Sequence, residues 1–303
     1  MREKSKPLLI IVAGPTAVGK TRVAVDLAKE LGTPVINADS RQIYREMRIG
    51  TAMPSADEFS EVTHCFFGHR SISEEYDASR YENEVIYFLN DWFARNHQIV
   101  MAGGSGLYID AVFRGIDDLP SIDPEIRRKL KSDYETSGIR VIREKLKSVD
   151  PEYYNMVDVH NPRRILKALE VYEMTGRSYS SYLTRTAKER NFRSLMIGLD
   201  MPRHELHTRI NERVDKMIAD GLLDEVRSLL PYRHLNALNT VGYKEMIDFI
   251  DGNCSFEEAV ENIKAHTRQY ARRQVTWFRR YPNIRWFHPA ETVKIMEYIK
   301  EVH

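Results

Sequence analysis

Hydrophobic positions along the chain fall into runs whose period changes repeatedly, and the changes mark out its elements. Leu8 to Ala13 is an unbroken apolar run, and further on Val23, Ala24, Leu27, Ala28 and Leu31 recur at helical spacing, so a buried strand handing over to a helix is predicted. Pro34 to Ala38 reads as a second short strand. Ala78 to Arg95 reads as an amphipathic helix with Tyr81, Val85, Phe88, Leu89 and Trp92 on one face, and Ile99 to Ala102 as a third strand. From about Gly115 the strand signal fades and two charged helical segments follow, Asp123 to Leu146 and Asn161 to Gly176. The second is well punctuated: Asn161 stands at the N-cap, Pro162 at the first helical position and Gly176 past the end, with Ile165, Ala168, Leu169 and Tyr172 as its buried stripe. Leu195 to Leu199 restores a strand. A helix from about His204 to Ala219 places Ile210, Val214, Met217 and Ile218 inward, a further helix covers Thr267 to Arg280, and Tyr281-Pro282 stops it before a last edge strand at Ile284 to Phe287. The alternation predicts an α/β fold: a parallel sheet flanked by helices, built from residues 1–115 and 195–303, with a helical subdomain inserted over residues 116–194.

The breaks between these runs carry the candidate chemistry. Gly14-Pro15-Thr16-Ala17-Val18-Gly19-Lys20-Thr21 sits at the first strand-to-helix transition and fits the phosphate-loop pattern. There, backbone N–H groups and the helix terminus surround a phosphate, Lys20 adds charge and the Thr21 hydroxyl can reach a magnesium ion. Asp39-Ser40-Arg41-Gln42 follows the second strand, at the end where open parallel sheets place their chemistry; Asp39 is a candidate catalytic carboxylate or the cap of a turn. Gly103-Gly104-Ser105-Gly106-Leu107-Tyr108 follows the third, where paired glycines permit close backbone approach and Ser105 offers a hydroxyl. Arg209, Arg213 and Lys216 share a helix face, a spacing that repels unless an anion such as a diphosphate lies beside it. Arg163, Arg164 and Lys167 form a basic face that suits either solvent or RNA. Between Thr267 and Arg280, Arg268, Arg272 and Arg279 align on one side and Tyr270, Arg273 and Trp277 on another; these stripes suit an RNA backbone and its bases, or ion pairing with Glu257, Glu258 and Glu261.

Composition narrows the class. The chain has 303 residues, 42% of them hydrophobic, and no apolar run approaches the roughly 20 residues of a membrane span, so a soluble, cytoplasmic, globular protein with no membrane partner is expected. The charged stretch Met1 to Lys6 leads directly into a strand and does not read as a signal peptide. Two separated cysteines, Cys65 and Cys254, indicate neither a disulfide framework nor a zinc module. A formal net charge of +1 leaves nucleic acid open, because basic residues can be segregated. A GTPase would normally show Asn-Lys-x-Asp, which is missing. A small-molecule kinase would need a second acceptor site, and Asp39 is the one clear acidic residue ending a strand.

Taken together, these stretches resemble the bacterial tRNA dimethylallyltransferases, also called tRNA isopentenyltransferases. The resemblance runs through Gly14 to Thr21, Ala38 to Tyr44, Ile49 to Pro54, Gly103 to Tyr108, Asn161 to Arg164, Ala168 to Tyr172, Val241 to Tyr243 and Thr267 to Gln274. It implies a phosphate-loop fold and transfer of a dimethylallyl group from dimethylallyl diphosphate to the exocyclic N6 of the adenosine on the 3′ side of the anticodon, in the stem-loop of a tRNA, with Mg2+ as cofactor. A monomer is expected. Within the resemblance Asp39 is the general base, Ser105 (a position usually held by Thr) supplies a hydroxyl to the amine or the diphosphate, and Arg213 stabilises the leaving group. The diphosphate falls to Gly14, Thr16, Ala17, Val18, Gly19, Lys20 and Thr21, the last also holding the metal. The tRNA falls to Asp39, Ser40, Arg41, Gln42, Ser105, Arg127, Arg163, Arg164, Ile165, Leu166, Lys167, Asn239, Thr240, Val241, Gly242, Tyr243, Lys244, Arg268 and Arg272. Two departures stand out: Met53 replaces a common Lys, and Asn239 replaces a residue that is frequently basic. The C-terminal zinc finger of eukaryotic relatives is absent.

Overall fold

The structure, a computed structural model, describes residues 6–54, 56–184 and 186–302. Its first strand, β1 (Leu8–Ala13), is the unbroken apolar run, and every residue in it is at most 1% exposed. Such a strand needs a partner on each edge and a layer on each face. It pairs in parallel with β4 (Gln98–Gly103) on one side and β5 (Arg193–Leu199) on the other. Beyond β4 lie β2 (Val35–Asn37) and β3 (His64–Cys65), and beyond β5 lies β6 (Arg285–Phe287), giving one six-stranded sheet in the order β3-β2-β4-β1-β5-β6 with all pairings parallel. The expected strands are all present. The two-residue β3 carried no periodic signal.

Helix α1 (Lys20–Leu31) packs Val23, Ala24, Leu27 and Ala28 on this sheet and closes at Gly32, whose φ of 63° is the left-handed conformation of a C-cap. A short α2 (Ala56–Glu61) precedes β3. Helix α3 (Ala78–Phe93) starts where the Asp77 side chain accepts from Arg80 N, and α4 (Gly106–Phe113) follows β4. The chain returns to the sheet through Arg190. Its guanidinium donates to Glu82 at 2.8 Å and to the carbonyls of Ala111 and Val112 at the end of α4. That buried anchorage is why the described residues from Glu189 onward form one compact unit with those up to Arg114; the expected start of the returning core, residue 195, comes several residues later.

Residues Gly115–Lys188 form a second compact unit. Within it α5 (Pro124–Val149) is broken at Gly138 (φ 76°, ψ 178°) into two arms where one helix was expected. Helix α6 (Pro151–Met156) follows, and α7 (Pro162–Thr175) is capped as expected, with the Asn161 side chain accepting from Arg164 N and Gly176 at φ 70°. Leu130, Ile142 and Leu146 of α5 pack on Ile165, Ala168 and Leu169 of α7. Val171, not Tyr172, completes the buried stripe.

The last third contributes α8 (Arg203–Ala219), α9 (Leu222–Leu229), α10 (Tyr243–Ile250), α11 (Phe256–Phe278) and α12 (Thr292–Val302) to the first unit. On α8, Ile210 and Val214 are buried as expected, whereas Met217 and Ile218 near its end are half-exposed. Among the described residues no helix is long and apolar enough to cross a membrane.

Candidate active site

The sheet order places β4 between β1 and β2, so the carboxyl ends of these three strands converge, and each hands over to one of the small-residue turns singled out from the sequence. Gly103, at the end of β4, shows how tightly they converge: a Cβ there would stand 2.1 Å from the Ala38 carbonyl oxygen.

The loop after β1 wraps a concavity. Ala17 (φ 64°) and Gly19 (φ 103°) take left-handed conformations in the tight turn that leads into the head of α1, the Gly19 position being one that favours glycine. Lys20 folds back across this loop, its Nζ donating to the Pro15 carbonyl at 2.7 Å. Burial, reinforced by Arg213 and opposed by Asp39, holds its ammonium down to about 7. Arg209 on α8 donates to Val18 O at 3.4 Å, and Arg213 one turn later donates to Thr51 O at 3.2 Å. Lys216 also faces the cleft but is paired with Asp220. Arg209, Arg213 and Lys216, which share a face of α8, thus line the same cleft as the loop after β1.

Asp39 caps its turn, the second of the two readings weighed from the sequence, and it also lines the cleft. Its Oδ1 accepts from Arg41 N (2.9 Å) and Gln42 N (3.4 Å), which caps the turn, and its carboxylate also lines the cleft opposite Lys20 and Thr21. Ser105, 8% exposed, accepts from Ser40 N at 2.8 Å and donates to Ser40 Oγ at 3.1 Å. Its hydroxyl thus holds the turn that carries Asp39. Tyr270 hydrogen-bonds Ser105, and its phenol is pushed up to about 12, first by burial and then by the Asp39 charge.

The cleft encloses about 530 Å³. The loop after β1 and the cations Arg209, Arg213 and Lys216 line it, together with apolar side chains of Val35, Met53, Pro54, Phe67 and Ala102 and the polar ones of Gln42, His64 and Glu212. Cations and apolar side chains in one cleft suit a compact polyanion with a short hydrocarbon attached, and the Asp39 carboxylate shares the lining.

Comparison with known proteins agrees with the geometry. The IPP transferase family pattern matches residues 42–281. The chain belongs to the IPP transferase family. It is 47% identical over 294 residues to tRNA dimethylallyltransferase 1 of Bacteroides thetaiotaomicron, covering 97% of this chain and 96% of that one. The full-length tRNA isopentenylpyrophosphate transferase of Bacillus halodurans superimposes with a TM-score of 0.71 at 35% identity, covering 98% of this chain and 96% of its own. A eukaryotic dimethylallyltransferase captured acting on tRNA gives 0.75 at 29% identity, over 89% of this chain and 69% of its own.

Against this family the expected RNA contacts divide. Arg163 and Arg164 are exposed on α7, Leu166 and Lys167 are half-buried, and Arg127 pairs with Glu170 at 3.6 Å. Ile165 is a correction: it is fully buried in the second unit's core, so its side chain packs and does not touch a surface ligand. Asn239 and Lys244 are exposed, Thr240 and Val241 half-buried, and Gly242 is buried at φ 94°. Tyr243 is a second correction, fully buried with its hydroxyl donating to Glu225 at 2.6 Å. On α11, Arg268 donates to Asn211 at 2.7 Å and Arg272 is exposed. Glu258 caps α11 itself and Glu261 pairs with Lys264, so neither neutralises the arginines further along. Trp277 packs on Gly106 with Arg280 stacked 3.9 Å above its ring, and Tyr270 hydrogen-bonds Ser105; both rings are half-buried.

Sequence reading missed Gln274. It is 4% exposed, accepts from Thr16 N at 2.8 Å and donates to Gly104 O at 2.9 Å, tying the phosphate loop to the glycine turn after β4. The signal was available: Gln274 is the one polar residue in the inward stripe Ala259, Ile263, Ala271, Phe278. Met53, where a basic residue was expected, lines the apolar wall.

Proposed function

We propose that the chain transfers the dimethylallyl group of dimethylallyl diphosphate to N6 of the adenosine on the 3′ side of the anticodon in tRNA, releasing diphosphate. The observation that carries this reading is one cleft holding an anion-binding loop, an apolar wall and the Asp39 carboxylate together. The carbon–oxygen bond to the diphosphate breaks as the carbon–nitrogen bond forms, and the N6 proton passes to Asp39. An exocyclic adenine amine is a weak nucleophile because its lone pair is delocalised, so a positioned base contributes roughly 10²–10⁴-fold. Charge gathering on the leaving diphosphate is met by the loop N–H groups, Lys20 and Arg213. Ser105 serves through Ser40, shaping the turn that aims Asp39.

The residues fit Mg2+ in a particular way. Thr21 and Asp39 offer hard oxygen donors in the cleft, and among the described residues no group of three or more His, Cys, Asp or Glu side chains forms a cage. A small divalent ion that takes most of its ligands from phosphate and water suits such a site. When bound, Mg2+ neutralises charge on the diphosphate oxygens. The tRNA is held by Ser40 to Gln42, Arg127, Arg163, Arg164, Lys167, Asn239, Lys244, Arg268 and Arg272, those of residues 116–194 making the insertion an RNA-gripping element. A tRNA acceptor implies the cytoplasm, and one chain carries the whole donor cleft, so a monomer suffices.

Incubation with labelled dimethylallyl diphosphate, Mg2+ and unmodified tRNA, with ATP as competing acceptor, should label tRNA. Label on ATP alone would overturn the reading in favour of an adenylate prenyltransferase. Asp39→Asn keeps the Oδ1 that caps the turn while removing the base, so turnover should fall with tRNA affinity unchanged. Loss of affinity alone would exclude Asp39 as the base.

A further inference from the structure

Glu225 takes no direct part in this chemistry, yet it is the most heavily hydrogen-bonded carboxylate near the cleft. It stands in the first turn of α9, where its Oε2 accepts the backbone N–H groups of Arg48 and Ile49 at 2.9 and 2.8 Å. Its Oε1 accepts Gly50 N at 2.9 Å and the Tyr243 hydroxyl at 2.6 Å. Three consecutive amides turned onto one anion form a concavity of the kind that binds phosphate elsewhere, here filled from within the chain. Tyr243 closes it: a Cβ on Gly50 would stand 2.5 Å from the tyrosine ring. Burial and the adjacent Glu225 charge lift the phenol far above its ordinary range, so it remains a donor.

The turn held this way ends in the cleft. Thr51 O accepts from Arg213 Nη2 at 3.2 Å and from Gln42 Nε2 at 3.1 Å, and Ala52 O accepts from the same Gln42 nitrogen at 2.9 Å. Ala52 has φ 44°, a left-handed conformation that a non-glycine residue keeps only when its surroundings impose it. Here they are the Glu225 clamp on one side and the bonds from Ala52 N to Ile49 O and Met53 N to Arg48 O on the other.

We propose that Glu225 is a positioning residue for the leaving group: by fixing the turn from Arg48 to Ala52 it sets the Thr51 carbonyl that aims the Arg213 guanidinium at the diphosphate. The proposal rests on the role given above to Arg213. A guanidinium has five donors, and committing one to a rigid carbonyl fixes the direction of the rest before the anion arrives.

A double-mutant cycle read by inorganic pyrophosphate binding tests it without requiring turnover. Glu225→Gln keeps the volume but turns an amide NH2 toward N–H donors. Pyrophosphate affinity should fall about 10-fold when Arg213 is present and less than about 2-fold in the Arg213→Ala background. In the transfer assay kcat should fall with KM for tRNA unchanged. Equal losses in both backgrounds, or no loss in the wild-type background, would overturn the proposal, because a structural lesion does not depend on Arg213. Should Glu225→Gln fail to melt cooperatively, Tyr243→Phe in the same cycle decides the matter, with a smaller loss that again requires Arg213. Coupling in pyrophosphate binding by a protein that labels no tRNA would overturn the proposed activity and support the positioning role.

Discussion

Replacing Lys20 by arginine should abolish a pH dependence that the cleft builds into donor binding. In the unliganded fold burial holds the Lys20 ammonium down to about 7, with Arg213 adding to the effect and Asp39 opposing it. Near pH 7, therefore, about half the molecules carry a neutral amine at the phosphate loop. A diphosphate brings several negative charges beside Nζ and restores the charged form. Binding then takes up protons, a fraction of one that is small well below about 7 and approaches one well above it. The favourable affinity is fully present below about 7 and is lost as pH rises above it, approaching about ten-fold per pH unit. Calorimetric titration of pyrophosphate in buffers of different ionisation enthalpy counts these protons, and Lys20→Arg, charged throughout, gives the baseline for the ligand's own ionisation. Wild-type uptake equal to that baseline at every pH refutes the reasoning. For folding, the unliganded chain binds fewer protons than the unfolded one between about 7 and the ordinary 10.5, so stability rises with pH across that window. The penalty at pH 7 is on the order of 4 kcal/mol, and Lys20→Met should raise the melting temperature of the unliganded protein while weakening pyrophosphate binding.

Gln274→Leu strands Thr16 N–H and Gly104 C=O, at about 1–3 kcal/mol each, and should lower both melting temperature and pyrophosphate affinity; a melting temperature within a degree of wild type would contradict the bridging role. Gly103→Ala forces a Cβ into the Ala38 carbonyl. A cost of about 1–3 kcal/mol in urea unfolding is expected, and an unchanged midpoint would show that the strand ends are not in contact. Arg190→Met removes the cation from Glu82, whose side chain is 4% exposed, and should cost about 3–5 kcal/mol, measurable as a lower unfolding midpoint. A stability equal to wild type would mean the returning chain is anchored elsewhere.

What was legible in the sequence were features with local causes. Periodicity marked the strands and most helices because burial follows the repeat of each element, and the caps at Asn161 and Gly176 were readable because capping depends on neighbours in the chain. The two-residue β3 and the break at Gly138 escaped because neither alters an apolar repeat. The candidate residues after β1 and on the cation face of α8 line one cleft because the ends of parallel strands and the helix facing them converge there. Ile165 and Tyr243 went wrong because a motif says that a position matters without saying whether its side chain points outward. The bond from Ser40 N to the Ser105 hydroxyl was not legible, because the two residues lie 65 apart in the chain.

The missed residues share a physical origin. The candidate site lies on turns after β1, β2 and β4, and small residues that permit close approach also leave such turns without side chains to brace them. The bracing comes from later in the chain. Gln274 on α11 ties the turns after β1 and β4 together, Glu225 on α9 and Tyr243 on α10 hold the segment from Arg48 to Gly50, and Arg209 on α8 bonds Val18 O. Apart from Arg209, these are a buried amide, a half-buried carboxylate and a buried phenol; the first two bond backbone atoms more than a hundred residues distant, and Tyr243 reaches the turn through Glu225. Burying a polar group costs free energy unless its partner is held in place, so each brace works only if the sheet and the C-terminal helices form together. The helices after β5 accordingly help build the cleft, and disrupting their packing far from it should weaken pyrophosphate binding before it unfolds the sheet.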